Sequence, residues 1–177
     1  MTRFVMALSA LAIGAVAGAQ TQTLPDLEQA ARGFGFRIGG FFPADNKLRD
    51  FETTWTDVGI EYDLERSMVK NGTTYLAFDW TSKGFFGGVH SMQFSFNQRF
   101  YGGTSRYSGG GAPYFFLGAG GQWTDFAGET GSSWLLRGGI GTELNNGWFA
   151  EAAGVVTPKI SGASTSGISL SIGYKFK

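Results

Sequence analysis

The sequence predicts an all-β chain that closes into an antiparallel up-and-down transmembrane barrel of about eight strands. Three observations carry this. Apolar and polar residues alternate with a period of two in successive segments from Phe34 to the end of the chain. Glycine and aromatic residues are both abundant, with 29 glycines and 16% aromatics. The tryptophans gather where the alternating segments end.

Composition supports a closed β-structure. The chain has 177 residues, enough for one domain. Lysine plus arginine and aspartate plus glutamate are 14 each, so no net field points to a nucleic-acid partner. Charged residues make up 16% of the chain, below the roughly 25% of soluble domains. Glycine permits bulges and close strand approach, and aromatic rings suit interfaces. A collagen reading fails, because the glycines have no period of three and there are only 4 prolines. The absence of cysteine excludes disulfides and thiolate-held metals.

The beginning of the chain reads as a processing signal. Arg3 supplies a positive start, Val5 to Val16 an apolar stretch, and Ala17-Gly18-Ala19 a site for cleavage after Ala19. The apolar run is shorter than the roughly 20 residues of a spanning helix. Residues 1–19 are therefore expected to be a signal peptide, 20–33 a short periplasmic segment and 34–177 the barrel. Within the second, Pro25 to Arg32 can form two helical turns, with Thr23 near the N-cap and Gly33 as the stop.

Eight strand segments follow, and no helical period. Phe34–Phe42 sets Phe34, Phe36, Ile38, Gly40 and Phe42 against Gly35, Arg37 and Gly39. Trp55–Leu64 alternates Val58, Ile60, Tyr62 and Leu64 with Asp57, Gly59, Glu61 and Asp63. Thr73–Trp80 opposes Leu76, Phe78 and Trp80 to Ala77 and Asp79. Ser91–Tyr101 opposes Met92, Phe94 and Phe96 to Gln93, Ser95, Asn97 and Arg99. Tyr114–Asp125 carries Phe115, Leu117, Ala119 and Trp123 on one side. Trp134–Glu143 sets Trp134, Leu136 and Ile140 against Arg137, Gly139, Gly141 and Glu143. Asn145-Asn146-Gly147 is a tight-turn signal leading into Trp148–Val156. Gly167–Phe176 alternates Ile168, Leu170, Ile172, Tyr174 and Phe176 with Ser169, Ser171, Gly173 and Lys175. Closing such strands into a barrel leaves no edge unpaired.

Alternation alone does not say which face is outside, since a lipocalin-like barrel turns its apolar face inward. The polar face here is glycine-rich and carries both signs. Arg37, Arg99, Arg137 and Lys175 share it with Glu61, Asp63, Asp79, Glu143 and Glu151. A narrow lumen can hold small residues and charges that compensate one another, and a paired network is expected there. With both termini on the periplasmic side, Trp80, Trp123 and Trp134 fall at the outer ends of their strands and Trp148 at the opposite rim. That is the arrangement of an interfacial aromatic belt. Trp55 breaks parity with Val58 and Ile60, so it faces inward, sits in a loop or follows a bulge.

The alternation of Ile168, Leu170, Ile172, Tyr174 and Phe176 resembles the closing-strand signal of outer-membrane proteins. In those proteins the barrel-assembly machinery reads it; here Lys177 follows the aromatic. Together with Pro113-Tyr114-Phe115-Phe116-Leu117-Gly118-Ala119-Gly120, it makes the chain similar to the small barrels of the OmpA/OmpX-like family. The resemblance spans Gly33 to Phe176 in pattern and is loose in residue identity. It implies an outer-membrane location, lipids as the surroundings of Trp80, Trp123, Trp134, Trp148, Tyr174 and Phe176, and a monomer. Family members have short periplasmic turns. The Gly/Ser-rich Gly102–Gly111 stretch at a periplasmic turn departs from this, and the outer connections near Pro43–Asp50 and Ala127–Ser133 are modest.

Candidate chemistry is sparse. His90 is the single histidine. Small-barrel lipid A deacylases use a histidine and a serine two positions apart on one strand face, whereas here Ser91 follows His90 directly and position 92 is methionine. His90 therefore reads as a loop or rim residue. Asp57, Glu61 and Asp63 share a strand face and could suggest a divalent cation, but the arginines favour ion pairing. Gly118-x-Gly120-Gly121 lies in a strand with no following helix, and Gly109-Gly110-Gly111 lacks the Lys-Ser/Thr of a phosphate loop. No cofactor or enzymatic signal survives. The expectation is a non-enzymatic barrel with a filled polar lumen and a structural or surface-contact role. Its alternatives are a soluble periplasmic ligand-binding barrel and a lipid-modifying barrel enzyme.

Overall fold

The structure, a computed structural model, describes residues 33–64, 67–69, 72–83, 88–102, 112–126, 128–144, 146–160 and 162–176. The expected signal peptide with its cleavage site at Ala19, and all of the segment 20–33 but Gly33, lie outside these residues. So do positions 103–111, Asn145 and Lys177.

Eight antiparallel strands follow in order: β1 (Phe34–Pro43), β2 (Trp55–Asp63), β3 (Gly72–Ser82), β4 (Val89–Tyr101), β5 (Ala112–Phe126), β6 (Glu129–Glu143), β7 (Trp148–Val156) and β8 (Gly167–Lys175). Each pairs with its sequence neighbours, and β8 returns to β1, so the sheet closes into an up-and-down barrel. The fold class expected from the alternation is the one observed. At the closing seam Ile38 lies opposite Ile172, and on its other side opposite Val58. A slip of one residue would turn these apolar side chains inward and the charges outward, so the alternation itself pins the register.

Strand direction alternates, so the first and last strands have their terminal ends at the same, proximal, mouth. Phe34, Tyr62, Phe100, Phe115, Trp148, Tyr174 and Phe176 form its outer rim. They meet in clusters: Phe34 with Tyr62 at 5.2 Å, Phe100 stacked on Phe115 at 4.7 Å, and Trp148 with Tyr174 at 5.4 Å. Trp80, Trp123 and Trp134 point outward near the distal mouth. Trp80 and Trp123 flank Met92 on neighbouring strands.

Three local features differ from the sequence expectation. β6 starts at Glu129 rather than Trp134, leaving only 127–128 between it and β5. Residues 129–133 carry no large apolar side chain to mark the alternation, yet the ladder continues through them. Gly128 takes φ 98° and donates its N–H to Asp125 Oδ1 at 2.9 Å, which closes the turn. β3 and β4 likewise extend further toward the distal mouth than their apolar residues indicate. The first distal loop contains a single helical turn, α1 (Asn46–Arg49), whose N-cap Asp45 accepts the Lys47 N–H at 3.0 Å. One turn is too short to leave a 3.6-residue signature. At the opposite end Gly147 adopts φ 90°, a left-handed conformation suited to glycine in the β6–β7 hairpin.

Candidate functional site

The interior brings together the charged residues that strand parity places on one face. Arg37 (β1), Glu61 and Asp63 (β2), Asp79 (β3), Arg99 (β4), Arg137 and Glu143 (β6), Glu151 (β7) and Lys175 (β8) all point into the barrel. None is more than 6% exposed. Arg37 donates through Nε to Asp79 Oδ1 at 2.9 Å, pairs with the same carboxylate through its Nη2, and reaches Glu61 Oε2 at 3.2 Å. Arg137 takes the other Asp79 oxygen at 2.6 Å and Glu151 Oε1 at 3.2 Å. Arg99 donates to both Glu61 oxygens at 3.2 and 3.1 Å and lies 3.8 Å from Glu151. Lys175 joins Asp63 at 2.8 Å, with Glu61 and Glu143 each 3.4 Å away.

Glu61 is the hub of this network, in contact with Arg37, Arg99 and Lys175 together. Desolvating a carboxylate costs several kcal/mol; hydrogen bonds from Arg37 and Arg99 and the charge of Lys175 at 3.4 Å offset that cost. Tyrosines donate to two more of the acids, while Asp63 Oδ1 has no hydrogen-bond partner. Tyr101 donates to Glu143 at 2.9 Å and Tyr114 to Glu151 at 3.1 Å. The guanidinium of Arg99 lies over the Tyr75 ring at 4.2 Å and the Tyr114 ring at 4.6 Å, where the ring faces attract the cation. Arg137 lies over Phe116 at 5.2 Å.

The space for these long side chains comes from glycines on the same face. A methyl group at Gly59 would come within 2.8 Å of Arg37 Nε and would also run into the Asp79 carboxylate. Gly59→Ala is therefore expected to lower stability by about 1–3 kcal/mol, the range for overpacking. Gly121→Ala has only ordinary contacts, the nearest being Ser133 O at 3.6 Å, and should stay within about 0.5 kcal/mol. Urea midpoints in detergent micelles compare the two; equal shifts would contradict the steric account.

Nearer the distal mouth the lining turns from charged to hydroxyl and amide. Asp57 accepts hydrogen bonds from Ser169 and, at 3.4 Å, from Thr81. Gln122 accepts from Thr165 at 2.6 Å and donates to Ser133 at 2.9 Å. Asp57 thus lies apart from Glu61 and Asp63, and among the described residues no group of three or more acids or histidines is placed to hold a metal.

An apolar cluster of Phe41, Leu48, Trp55, Val89 and Ala163, with Phe126 against it, lies across this end. The 44–54 loop and residues 162–166 fold together above it. Ala44 N–H donates to Ser166 O at 2.8 Å, and Asp45, already the cap of α1, accepts Ser164 N–H at 3.1 Å. Of the positions open to Trp55, the structure selects the inward one. It is fully buried, needs no bulge, and donates its indole N–H to Glu52 O at 3.0 Å. Sequence reasoning did not find this cluster as a unit. The one available signal was large aromatics at Phe41 and Trp55 on the polar parity.

Outside, every strand presents apolar side chains. Phe94, Leu117, Leu136, Ile140, Leu170 and Ile172 are between 46% and 57% exposed. Trp123, Trp134 and Trp148 are exposed on the same face, and Tyr174 is half-buried against Trp148 and Phe176. His90 points outward, half-buried, with its ring 5.4 Å from Trp123 and Asp125 opposite it on β5. Ser91 points inward and is buried, so the two do not share a face. Ser82, opposite His90 on β3, is fully buried and directs its hydroxyl to Val89 O at 3.4 Å.

No family model and no curated relative matches the chain. Among solved structures it resembles the crystal structure of the outer membrane enzyme PagL, with a TM-score of 0.54 and 14% identity over 81% of this chain and 98% of that one. It also aligns with the N-terminal β-barrel domain of Pseudomonas aeruginosa OprF (TM-score 0.46, 16% identity, 80% and 97% coverage). A third match is Yersinia pestis Ail in a phospholipid nanodisc (TM-score 0.46, 16% identity, 82% and 99% coverage). What the chain shares with PagL at this identity is the fold, a small closed β-barrel.

Proposed function

We propose that this chain is an integral outer-membrane barrel, monomeric and non-enzymatic, whose wall lies in lipid and whose lumen is filled by its ion-pair network. The observation that carries the reading is the inversion of polarity: large apolar side chains line the exterior of every strand, and the paired charges are inside. A water-soluble domain rarely exposes contiguous apolar surface beyond a few hundred Å².

The dimensions fit a bilayer. On β5 the outward residues are Pro113, Phe115, Leu117, Ala119, Gly121 and Trp123, and Asp125 ends the run. Ten rises of about 3.4 Å, tilted by about 40°, give a band of roughly 26 Å, against about 25 Å for outer-membrane barrels. Outer-membrane lipids are then the main partner, with the barrel-assembly machinery during biogenesis. An eight-stranded interior holds side chains rather than a wide channel, so the role is mechanical or one of surface contact through the distal loops, not that of an open porin.

SDS gel mobility of detergent-extracted membranes tests this. The unheated protein should migrate as a compact band that shifts on boiling. Recovery in the soluble fraction without detergent would favour the soluble ligand-binding barrel instead. A second reading, a lipid-modifying enzyme, draws on the His90–Asp125 pair beside Trp123 and on PagL being an enzyme. It requires that His90→Ala abolish an acyl-transfer or deacylation activity measured on membranes holding the native protein.

A further inference from the structure

Two polar side chains of the wall are buried although they have outward parity and apolar neighbours. Thr74 on β3 and Gln98 on β4 lie directly opposite each other with outward parity. Their surroundings are apolar. Leu117 is opposite Gln98 on β5, Leu76 and Phe96 are the next outward pair toward the barrel middle, and Phe100 and Phe115 stack on the proximal side. A threonine and a glutamine thus stand inside the apolar band, yet Thr74 is 1% and Gln98 6% exposed.

What covers them is the Ser67–Val69 segment between β2 and β3, which lies against the outside of the barrel. Met68 N–H donates to Thr74 Oγ1 at 3.0 Å, and Gln98 Nε2 donates to Ser67 Oγ at 3.2 Å. Thr74 donates its hydroxyl proton to Gln98 Oε1 at 2.6 Å, and Gln98 Nε2 also donates to Arg99 O at 2.8 Å. Val69 N–H is taken by Ser67 Oγ at 3.2 Å. Every donor of the two side chains therefore has an acceptor. The segment lies so close that a methyl group at Gly72 would come within 2.6 Å of Val69 Cγ2.

A segment standing in water has no need of such closure, because water supplies partners. Hydrocarbon supplies none, and an unsatisfied polar group there costs several kcal/mol. The rim gives a second reason. Going round the proximal mouth, Tyr174, Phe34 and Tyr62 are followed on β3 by Gly72 and Thr74, and only then by Phe100 and Phe115. Among the described residues β3 and β6 give this girdle no aromatic; at β6 the exposed Leu144 stands at the rim, whereas β3 offers only Gly72 and Thr74. The Ser67–Val69 segment fills the place at β3, with Met68 64% exposed on the outer side.

We infer that Ser67–Val69 is a membrane-seated strap: it closes the polar Thr74–Gln98 pair off from lipid and presents Met68 to the acyl chains of the periplasmic leaflet. This rests on the proposed outer-membrane location, and the experiment separates the two. The chain has no cysteine, so Met68→Cys, Phe94→Cys (mid-wall) and Lys159→Cys (distal loop) each give a unique site for a polarity-sensitive fluorophore. Labelled proteins are folded into phosphatidylcholine vesicles with brominated acyl chains, and folding is checked by the heat-dependent gel shift.

The label at position 68 should show blue-shifted emission and lose intensity to bromine as the label at 94 does, while that at 159 stays red-shifted and unquenched. Adding Gln98→Ala to Met68→Cys should red-shift position 68 and reduce its quenching, because the strap loses its Ser67 anchor. If 94 is quenched and 68 behaves like 159, the strap is overturned and the membrane reading stands. If neither 68 nor 94 is quenched, the membrane reading falls and the strap with it.

Discussion

Arg99→Met is expected to destabilise the folded barrel by about 3–5 kcal/mol, the cost of leaving buried charge without its partner. The substitution keeps most of the aliphatic volume and removes the guanidinium that bonds both oxygens of Glu61 and lies 3.7 Å from Asp63 and 3.8 Å from Glu151. It also empties the space over Tyr75 and Tyr114. Guanidinium unfolding in micelles, followed by tryptophan fluorescence, gives the number. A loss below about 1 kcal/mol, the range of solvent-exposed pairs, would show that the interior is well hydrated and that the network does not hold the barrel together. The double variant Arg99→Met/Glu61→Gln should recover part of the loss, because the uncompensated carboxylate is gone. The recovery should be incomplete, since Glu61 also serves Arg37 and Lys175. Such non-additivity is the signature of a shared network.

The second large effect is expected on the opposite face. Ile172 is 57% exposed at the middle of the outward row of β8, between Ile38 and Ala150. Ile172→Arg should cost about 2–4 kcal/mol in a bilayer, as a cation does at the midplane of a membrane barrel. It should also lower the folded yield in vesicles. In a soluble barrel the same exposed change would fall within about 0.5 kcal/mol. The measurement therefore reads the surroundings of the wall and not its packing. A neutral result in vesicles, with the protein still folded, would contradict the lipid-facing assignment.

The eight segments were legible because a strand places alternate side chains on opposite faces whatever its neighbours do. Val58, Ile60 and Tyr62 against Asp57, Glu61 and Asp63 needed no partner strand to be sorted. The same holds for Ile168 to Phe176 against Ser169 to Lys175. Strand ends were less legible. Glu129 to Ser133 extends β6 without an apolar mark, since a backbone ladder continues wherever donors and acceptors face each other. The single turn of α1 was hidden for the converse reason: its stability comes from Asp45 and from Leu48 buried beneath it, not from a periodic face.

Which charge meets which was not in the sequence. Asp79 is held by Arg37 and Arg137, 42 and 58 positions away along the chain. That meeting is set by the stagger at which eight strands close, a property of the whole barrel. The distal cluster of Phe41, Leu48, Trp55, Val89 and Ala163 likewise draws on three strands and two loops. Thr74 and Gln98 show the limit most plainly, since their parity says outward while their burial depends on the Ser67–Val69 segment lying over them. The alternation alone was enough to place about eight strand segments and to sort most of their side chains between two faces, because period two is fixed by covalent geometry; the side taken by Trp55 was not among them. The tertiary structure decided the pairing of the interior charges, the cluster across the distal mouth and the strap on the wall, because each needs residues that only barrel closure brings together.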